Sequence, residues 1–339
     1  MSQRSLQSEH RWGVVHRVRR ATTKRTWSKR VKHDYLTLNE INQYMRHVAH
    51  SVAHATLIHV GRTFEGRKIF GLKFTDERRS ETRKRTIVLD AGIHAREWLA
   101  VSTALRIVHE LANDDENQPL FAHFVIYVIP VLNPDGYKYS HETYRMQRKT
   151  RSTTHTGECL DSQQGVDANR NWDIHWMESG SSSLPCSIIY AGSEPFSEIE
   201  IREYAEFLST LRNIHLYLAF HSNMNFIVYP YGWNTGTYQP HHEKVKTVAK
   251  AAADTINAQM PTNDAYQWHH GSLGDVVYKT SGNQLDWVAG KLGVRWAFLL
   301  EIGRSKDHFK TPKQEIDLYG HAVWSGLQTL ICAIEDYRD

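Results

Sequence analysis

The chain of 339 residues is 40% apolar and 11% aromatic, enough to fill a sizeable core, which excludes wholesale disorder. No stretch reaches the roughly 18 uninterrupted apolar residues of a bilayer-spanning helix, and three cysteines are too few for a disulfide scaffold or for paired C-x-x-C zinc modules. The net charge of +4 is uneven: residues 1–32 carry ten Lys or Arg against Glu9 alone, so the remainder is negative by five charges.

In chain order, residues 1–32 read as a basic, disordered arm. They lack the apolar h-region of a secretory signal. Nucleic-acid binding would rest on this arm alone and is set aside, as is a membrane partner. From residue 33 to 339 no repeat or low-complexity segment occurs, which predicts one domain. Thr86–Leu89, Phe124–Leu132, Leu216–Phe220, Phe226–Tyr229 and Trp296–Leu300 are apolar runs of strand length that do not alternate with polar residues, so they read as strands buried on both faces. Between them Trp98–Leu111, Ser197–Leu211 and Val245–Ile256 space apolar residues as helices do, with Ser197 and Glu200 as a capping box, and Tyr319–Tyr337 closes the chain as a further helix. The alternation predicts an α/β fold: a mixed, mostly parallel twisted sheet flanked by helices on both faces.

In such sheets ligands bind beyond the carboxyl ends of the strands. There the first strand is followed by A-G-I-His94-A-R-Glu97, the third by His221-Ser222 and the last by Glu301. Two imidazoles and a carboxylate with an open fourth position form a recognised catalytic zinc set, so His94, Glu97 and His221 are candidate ligands. H-x-x-E alone is a weak signal among 21 histidines, and the strand-end position of His221 strengthens it. A carboxylate directly after five apolar residues, as at Glu301, is either a buried ion-pair partner or a general base whose pKa a dry pocket raises. Asn169 and Arg170, in D-A-N-R-N-W, offer an amide and a guanidinium fork suited to a carboxylate. H-E-x-x-H, G-x-S-x-G and P-loop motifs are absent. The pairs His241-His242 and His269-His270 read as loop residues, and Cys332 as a buried helix position.

The stretches Y-L-T-L-N-E-I (35–41), G-R-T-F-E-G-R (61–67), G-I-H-A-R-E-W (92–98), P-V-L-N-P-D-G-Y (130–137), R-K-T-R-S (148–152), V-D-A-N-R-N-W-D (166–173), F-H-S (220–222), Y-P-Y-G (229–232) and L-D-W (285–287) occur in order across residues 33–339. Together they resemble a zinc metallocarboxypeptidase of the pancreatic carboxypeptidase A/B type. The resemblance implies one zinc ion held by His94, Glu97 and His221, with Asp167 orienting the first histidine and Glu301 as catalytic base. It implies Arg148 at the oxyanion, Asn169, Arg170 and Tyr278 on the substrate's terminal carboxylate, and Arg96 at an upstream subsite. Leu285 matches the base of the pocket for the terminal side chain, which implies apolar or aromatic preference.

The resemblance also implies a Cys159–Cys186 disulfide, a secreted monomer acting on peptide or protein C-termini, and a prodomain or proteinaceous inhibitor as partner. It makes the basic arm a possible remnant of an activation linker, on a truncated or processed chain. The family pattern is not kept at Asn223, at Asn283, in the segment E-I-G-R-S-K-D after Glu301, or in the spacing of Cys159. The competing readings are a catalytically silent peptide-binding homologue and an intracellular deglutamylase or amidohydrolase with the same zinc set.

Overall fold

The computed structural model describes residues 26–337. Its strands are β1 (Ala55–Arg62), β2 (Lys68–Phe74), β3 (Arg85–Ala91), β4 (Phe124–Ile129), β5 (Ile214–His221), β6 (Phe226–Tyr229), β7 (His269–Ser272) and β8 (Trp296–Glu301), joined in one sheet of order β1-β2-β4-β3-β5-β8-β6-β7. The central β4, β3, β5 and β8 run parallel, while β1 and β2 pair antiparallel with each other, β2 with β4, and β6 with β8. Helices begin with α1, described over residues 26–33, then α2 (Leu38–Ser51), α3 (Trp98–Asn113), α4 (Leu120–His123) and α5 (Pro134–Glu142). They continue with α6 (Ile199–Thr210), α7 (His242–Gln259), α8 (Leu273–Val276), α9 (Gln284–Gly290) and α10 (Ile316–Glu335). The mixed sheet with helices on both faces is the expected class.

Strand periodicity divides the core. Ile87, Leu89, Leu216, Leu218, Phe220, Phe298 and Leu300 pack on one face, with α2, α3, α7 and α10. The residues between them, Val88, Tyr217, Ala219, Ala297 and Leu299, pack on the other with α6, α9 and Trp172. Successive side chains of a strand point to opposite faces, and burial on both sides explains the unbroken apolar runs.

Several sequence expectations need correction. The arm does not extend to residue 32: residues 26–33 are helical, Val31 is buried, Trp27 packs on Tyr44 with ring centroids 5.4 Å apart, and Arg30 pairs with Glu40 at 2.8 Å. An apolar Trp and Val within the basic run supply the burial that anchors this segment. Residues 1–25 lie outside the described residues. Ser197 and Glu200 do not form a capping box, because Ser197 Oγ accepts from Asn171 and the Glu200 carboxylate accepts from the Phe64 N–H at 3.1 Å. The strand from Phe124 stops at Ile129, before Pro130, which has no N–H for the ladder. β1, β2 and β7 were not anticipated; the first two are partly exposed and lack the unbroken apolar run. Cys332 is exposed rather than buried.

Cys159 and Cys186 are joined in a disulfide spanning a sequence separation of 27. Chain-entropy arithmetic for a loop of that length gives roughly 3 to 4 kcal/mol. Replacing both cysteines with alanine is expected to lower unfolding free energy by about that amount in urea titration, and a change below about 1 kcal/mol would refute the estimate.

Candidate active site

His94 lies in the turn between β3 and α3. Gly92 has φ +67°, and a Cβ there would stand 3.1 Å from the Pro130 carbonyl and the Val131 Cα, so the tight exit from the strand needs glycine. The turn brings His94 back over the sheet, with Glu97 at the start of α3; both are buried. His221 ends β5 and Glu301 ends β8, and the register pairs them directly. Both continue the alternation of Tyr217, Ala219, Ala297 and Leu299 and so face the side of the sheet that carries Trp172.

The structure brings His94, Glu97 and His221 together, with one donor atom of each within 4.8 Å of the others. His94 Nδ1 stands 2.8 Å from Glu97 Oε1 and 3.2 Å from His221 Nδ1, and His221 Nδ1 stands 3.1 Å from Glu97 Oε2. Ligand atoms around a tetrahedral zinc at ordinary bond lengths lie roughly 3.3 Å apart. The donor set and its spacing therefore fit zinc. Among the described residues no second such cluster occurs. The pair His241-His242 stands at the start of α7, while His269-His270 opens β7 instead of a loop.

Asp167 underlies this cluster. It is fully buried and accepts His94 Nε2 at 3.0 Å, Arg148 Nε at 3.0 Å and the Asn169 N–H at 3.0 Å. Burial opposes its ionisation, but Arg148, Arg170 and His94 outweigh that and hold the carboxyl well below the usual range. With Nε2 bonded to Asp167, His94 directs Nδ1 at the cluster. Its pKa is lowered, first by burial and then by Arg148, which favours the neutral imidazole that a metal requires. Glu97 is held below its ordinary value because both histidines outweigh burial. Burial, aided by the charge of Glu97, pushes Glu301 up to about 7, while His221, Arg148 and Arg170 pull the other way.

Arg148 Nη1 lies 3.3 Å from His94 Nδ1 and 3.9 Å from Glu97, at the edge of the cluster. Arg170 is fixed by its bonds to the Asn169 and Gly180 carbonyls, and its guanidinium stands 5.8 Å from the ring centroid of the exposed Tyr278. Asn169 Oδ1 accepts the Gln284 N–H at 2.9 Å, which ties it to the segment carrying buried Leu285 and leaves its amide N–H groups for a ligand. Arg96 stacks on Phe309 at 4.1 Å.

Sequence reasoning missed two supporting elements. Arg145 donates to the carbonyls of Arg96 and Phe309 and stacks on Trp98, so it ties the His94 turn to the loop after Glu301. Asp90 accepts from Tyr204, Tyr217 and Gln284 beneath the Asn169 contact. Asp90 also follows an apolar run, as Glu301 does, so the same signal could have found it.

A zinc carboxypeptidase family model (peptidase M14) matches residues 41–326. The chain belongs to the zinc carboxypeptidase family. It is 36% identical to carboxypeptidase B of Astacus astacus over 308 residues, 90% of this chain and 97% of that one. It is 34% identical to carboxypeptidase A2 of Rattus norvegicus over 309 residues, 89% of this chain and 71% of that one. Among solved structures, carboxypeptidase A from Helicoverpa armigera superposes with a TM-score of 0.83 at 26% identity, over 90% of this chain and 75% of that one. Bovine thrombin-activatable fibrinolysis inhibitor, in complex with tick carboxypeptidase inhibitor, gives 0.81 at 29% identity, over 90% of this chain and 99% of that one. As a zinc carboxypeptidase the chain is a metallohydrolase of C-terminal peptide bonds.

Asp167→Asn tests the support of the cluster, because an amide would present an N–H or a neutral oxygen to His94 and Arg148. Zinc affinity measured by chelator competition is expected to fall about 10- to 100-fold. Unchanged affinity in a folded variant would refute the orienting role.

Proposed function

We propose that this zinc carboxypeptidase holds one zinc ion on His94, Glu97 and His221 and removes the C-terminal residue of peptides, preferring apolar or aromatic side chains. The carrying observation is the 2.8 to 3.2 Å convergence of two imidazole nitrogens and a carboxylate, with Glu301 in register beside His221. When bound, zinc supplies Lewis acidity to a water and to the scissile carbonyl. Glu301 takes the proton of the attacking water and delivers it to the leaving amine, a role suited to a carboxyl raised to about 7. Arg148, buried and fixed by Asp167, donates N–H groups to the oxyanion as negative charge develops. Asn169, Arg170 and Tyr278 hold the terminal carboxylate, which limits cleavage to the last peptide bond. Arg96 on Phe309 contacts the peptide upstream.

The A-type preference is supported by Leu285 and by its acidic neighbour. Asp286 is fully buried and accepts the N–H groups of Gly232 and Trp233 and the Asn283 amide, so its charge is consumed within the protein. A terminal Lys or Arg would enter without a counter-charge, at a desolvation cost that an apolar side chain avoids. The disulfide supports an oxidising, secreted setting, and the inhibitor complex of the bovine relative supports a proteinaceous inhibitor as partner.

Two outcomes test this reading. Glu301→Gln is expected to lower kcat by roughly 100- to 10,000-fold while zinc content by elemental analysis stays at one ion per chain, and chelation should abolish hydrolysis in the unmodified enzyme; persistence of either activity would refute the mechanism. On a panel of short peptides, those ending in Phe or Leu should show kcat/KM at least about tenfold above those ending in Lys or Arg, a difference of about 1.4 kcal/mol. The reverse order would overturn the pocket assignment.

A further inference from the structure

The loop between β2 and β3 carries the run D-E-R-R-S-E-T-R-K-R over residues 76–85. Of its three acids, Asp76 pairs with Arg78 at 2.8 Å, Glu81 pairs with Lys73 of β2 at 2.5 Å, and Glu77 is exposed. Among the described residues no carboxylate pairs with the exposed Arg79 or Arg83. Together with Ser80, Lys84, Arg85 and His123 they line a cleft of about 480 Å3, which no acidic residue lines. Lys84 is buried at its wall, with Nζ bonded only to neutral oxygens, the Thr75 hydroxyl at 2.7 Å and the Asp76 carbonyl at 2.6 Å. Arg85, held by Glu335 at 2.8 Å and stacked on Phe124, is shared with a second cleft of about 590 Å3 that continues to Arg295.

This cationic surface lies at the amino ends of the parallel strands, since Arg85 opens β3. The proposed catalytic residues lie beyond the carboxyl ends, and the seven residues of β3 put roughly 20 Å between them. The surface serves no step of peptide hydrolysis. We propose that the Arg79–Arg83–His123 cleft is a second binding site, which takes the sulfate groups of an extracellular sulfated glycan and anchors the enzyme with its active site facing away from the chain. Guanidinium forks match sulfate oxygens in paired hydrogen bonds. Two adjoining clefts suit a polymer with repeating charge better than a single anion. No Phe, Tyr or Trp lines the first cleft, where the sulfate groups are placed, so it lacks the large stacking platform that single-stranded nucleic acid uses, while Trp296 and Tyr337 line only the second. The disulfide supports the oxidising compartment in which sulfated glycans occur.

The test is the Kd of the full chain for a fluorescent heparin octasaccharide at 0.1 M salt. R79E/R83E is expected to raise Kd at least tenfold, while peptide hydrolysis and Tm stay unchanged. K68E/K246E removes the same charge from other exposed positions and should change Kd less than threefold. The basic segment 1–25 is common to all three proteins, so a loss confined to R79E/R83E is assigned to the cleft. Equal Kd values for the two variants would overturn the proposal. So would binding of the desulfated octasaccharide, of inorganic phosphate or of a single-stranded oligonucleotide as tightly as the sulfated chain.

Discussion

Asp167 has no access to solvent, and an isolated carboxylate in that position would be prohibitively costly. Its charge is sustained because Oδ1 receives His94 and the Asn169 N–H while Oδ2 receives Arg148. One buried anion thus orients the His94 imidazole, a guanidinium at the edge of the cluster and the backbone of the Asn169-Arg170 pair. Each partner also satisfies the others: Arg148 and His94 supply the positive and donor groups that keep Asp167 ionised, and Asp167 keeps Arg148 from being an uncompensated buried cation. Such a network resists partial disruption, because removal of one member strands a charge.

The sheet supplies the complementary constraint. His221 and Glu301 stand side by side only because β5 and β8 are parallel and in register at Phe220–Leu300 and His221–Glu301. A slip by one residue would turn either side chain to the opposite face. The one irregularity between β3 and β5 falls at Thr86/Ile87, at the far end of the strands, and leaves the pairing Ala91–Phe220 beside the site undisturbed. The rigid ladder therefore delivers the strand-end residues, while the His94 turn, freed by Gly92, reaches across to meet them.

What was legible in the sequence followed from how strongly each element declares itself. The central strands are buried on both faces, so their apolar runs are unbroken, and the chemistry-bearing residues sit at their ends by a rule of the architecture. The outer β1 and β2 are partly exposed and carry His59, Lys68 and Lys73 within them, which dilutes the signal. Residues 26–32 were misread because charge dominates their composition, although Trp27 and Val31 suffice to dock them. The pairing of Glu301 with His221, the Asp90–Gln284–Asn169 connection and the position of Arg145 depend on contacts between segments far apart in the chain, and periodicity carries no trace of such contacts.

Two of the departures from the family pattern are bonded to each other. Asn223 stands after the H-S pair, and its amide donates to the carbonyls of Arg304 and Ser305, while Ser305 Oγ donates back to the Asn223 carbonyl. These partners are themselves part of the altered segment after Glu301, so two deviations that look independent along the chain form one bonded unit. Asn283 is likewise self-contained: its side chain caps α9 by accepting from the Asp286 N–H and donates to Thr280 and Asp286. Neither change bonds to His94, Glu97, His221 or Asp167. Variation is therefore carried by loop positions whose polar groups, half-buried at Asn223 and fully buried at Asn283, are satisfied by their own neighbours. The buried cluster has less latitude, because His94, Glu97, Asp167 and Arg148 are bonded to one another and buried.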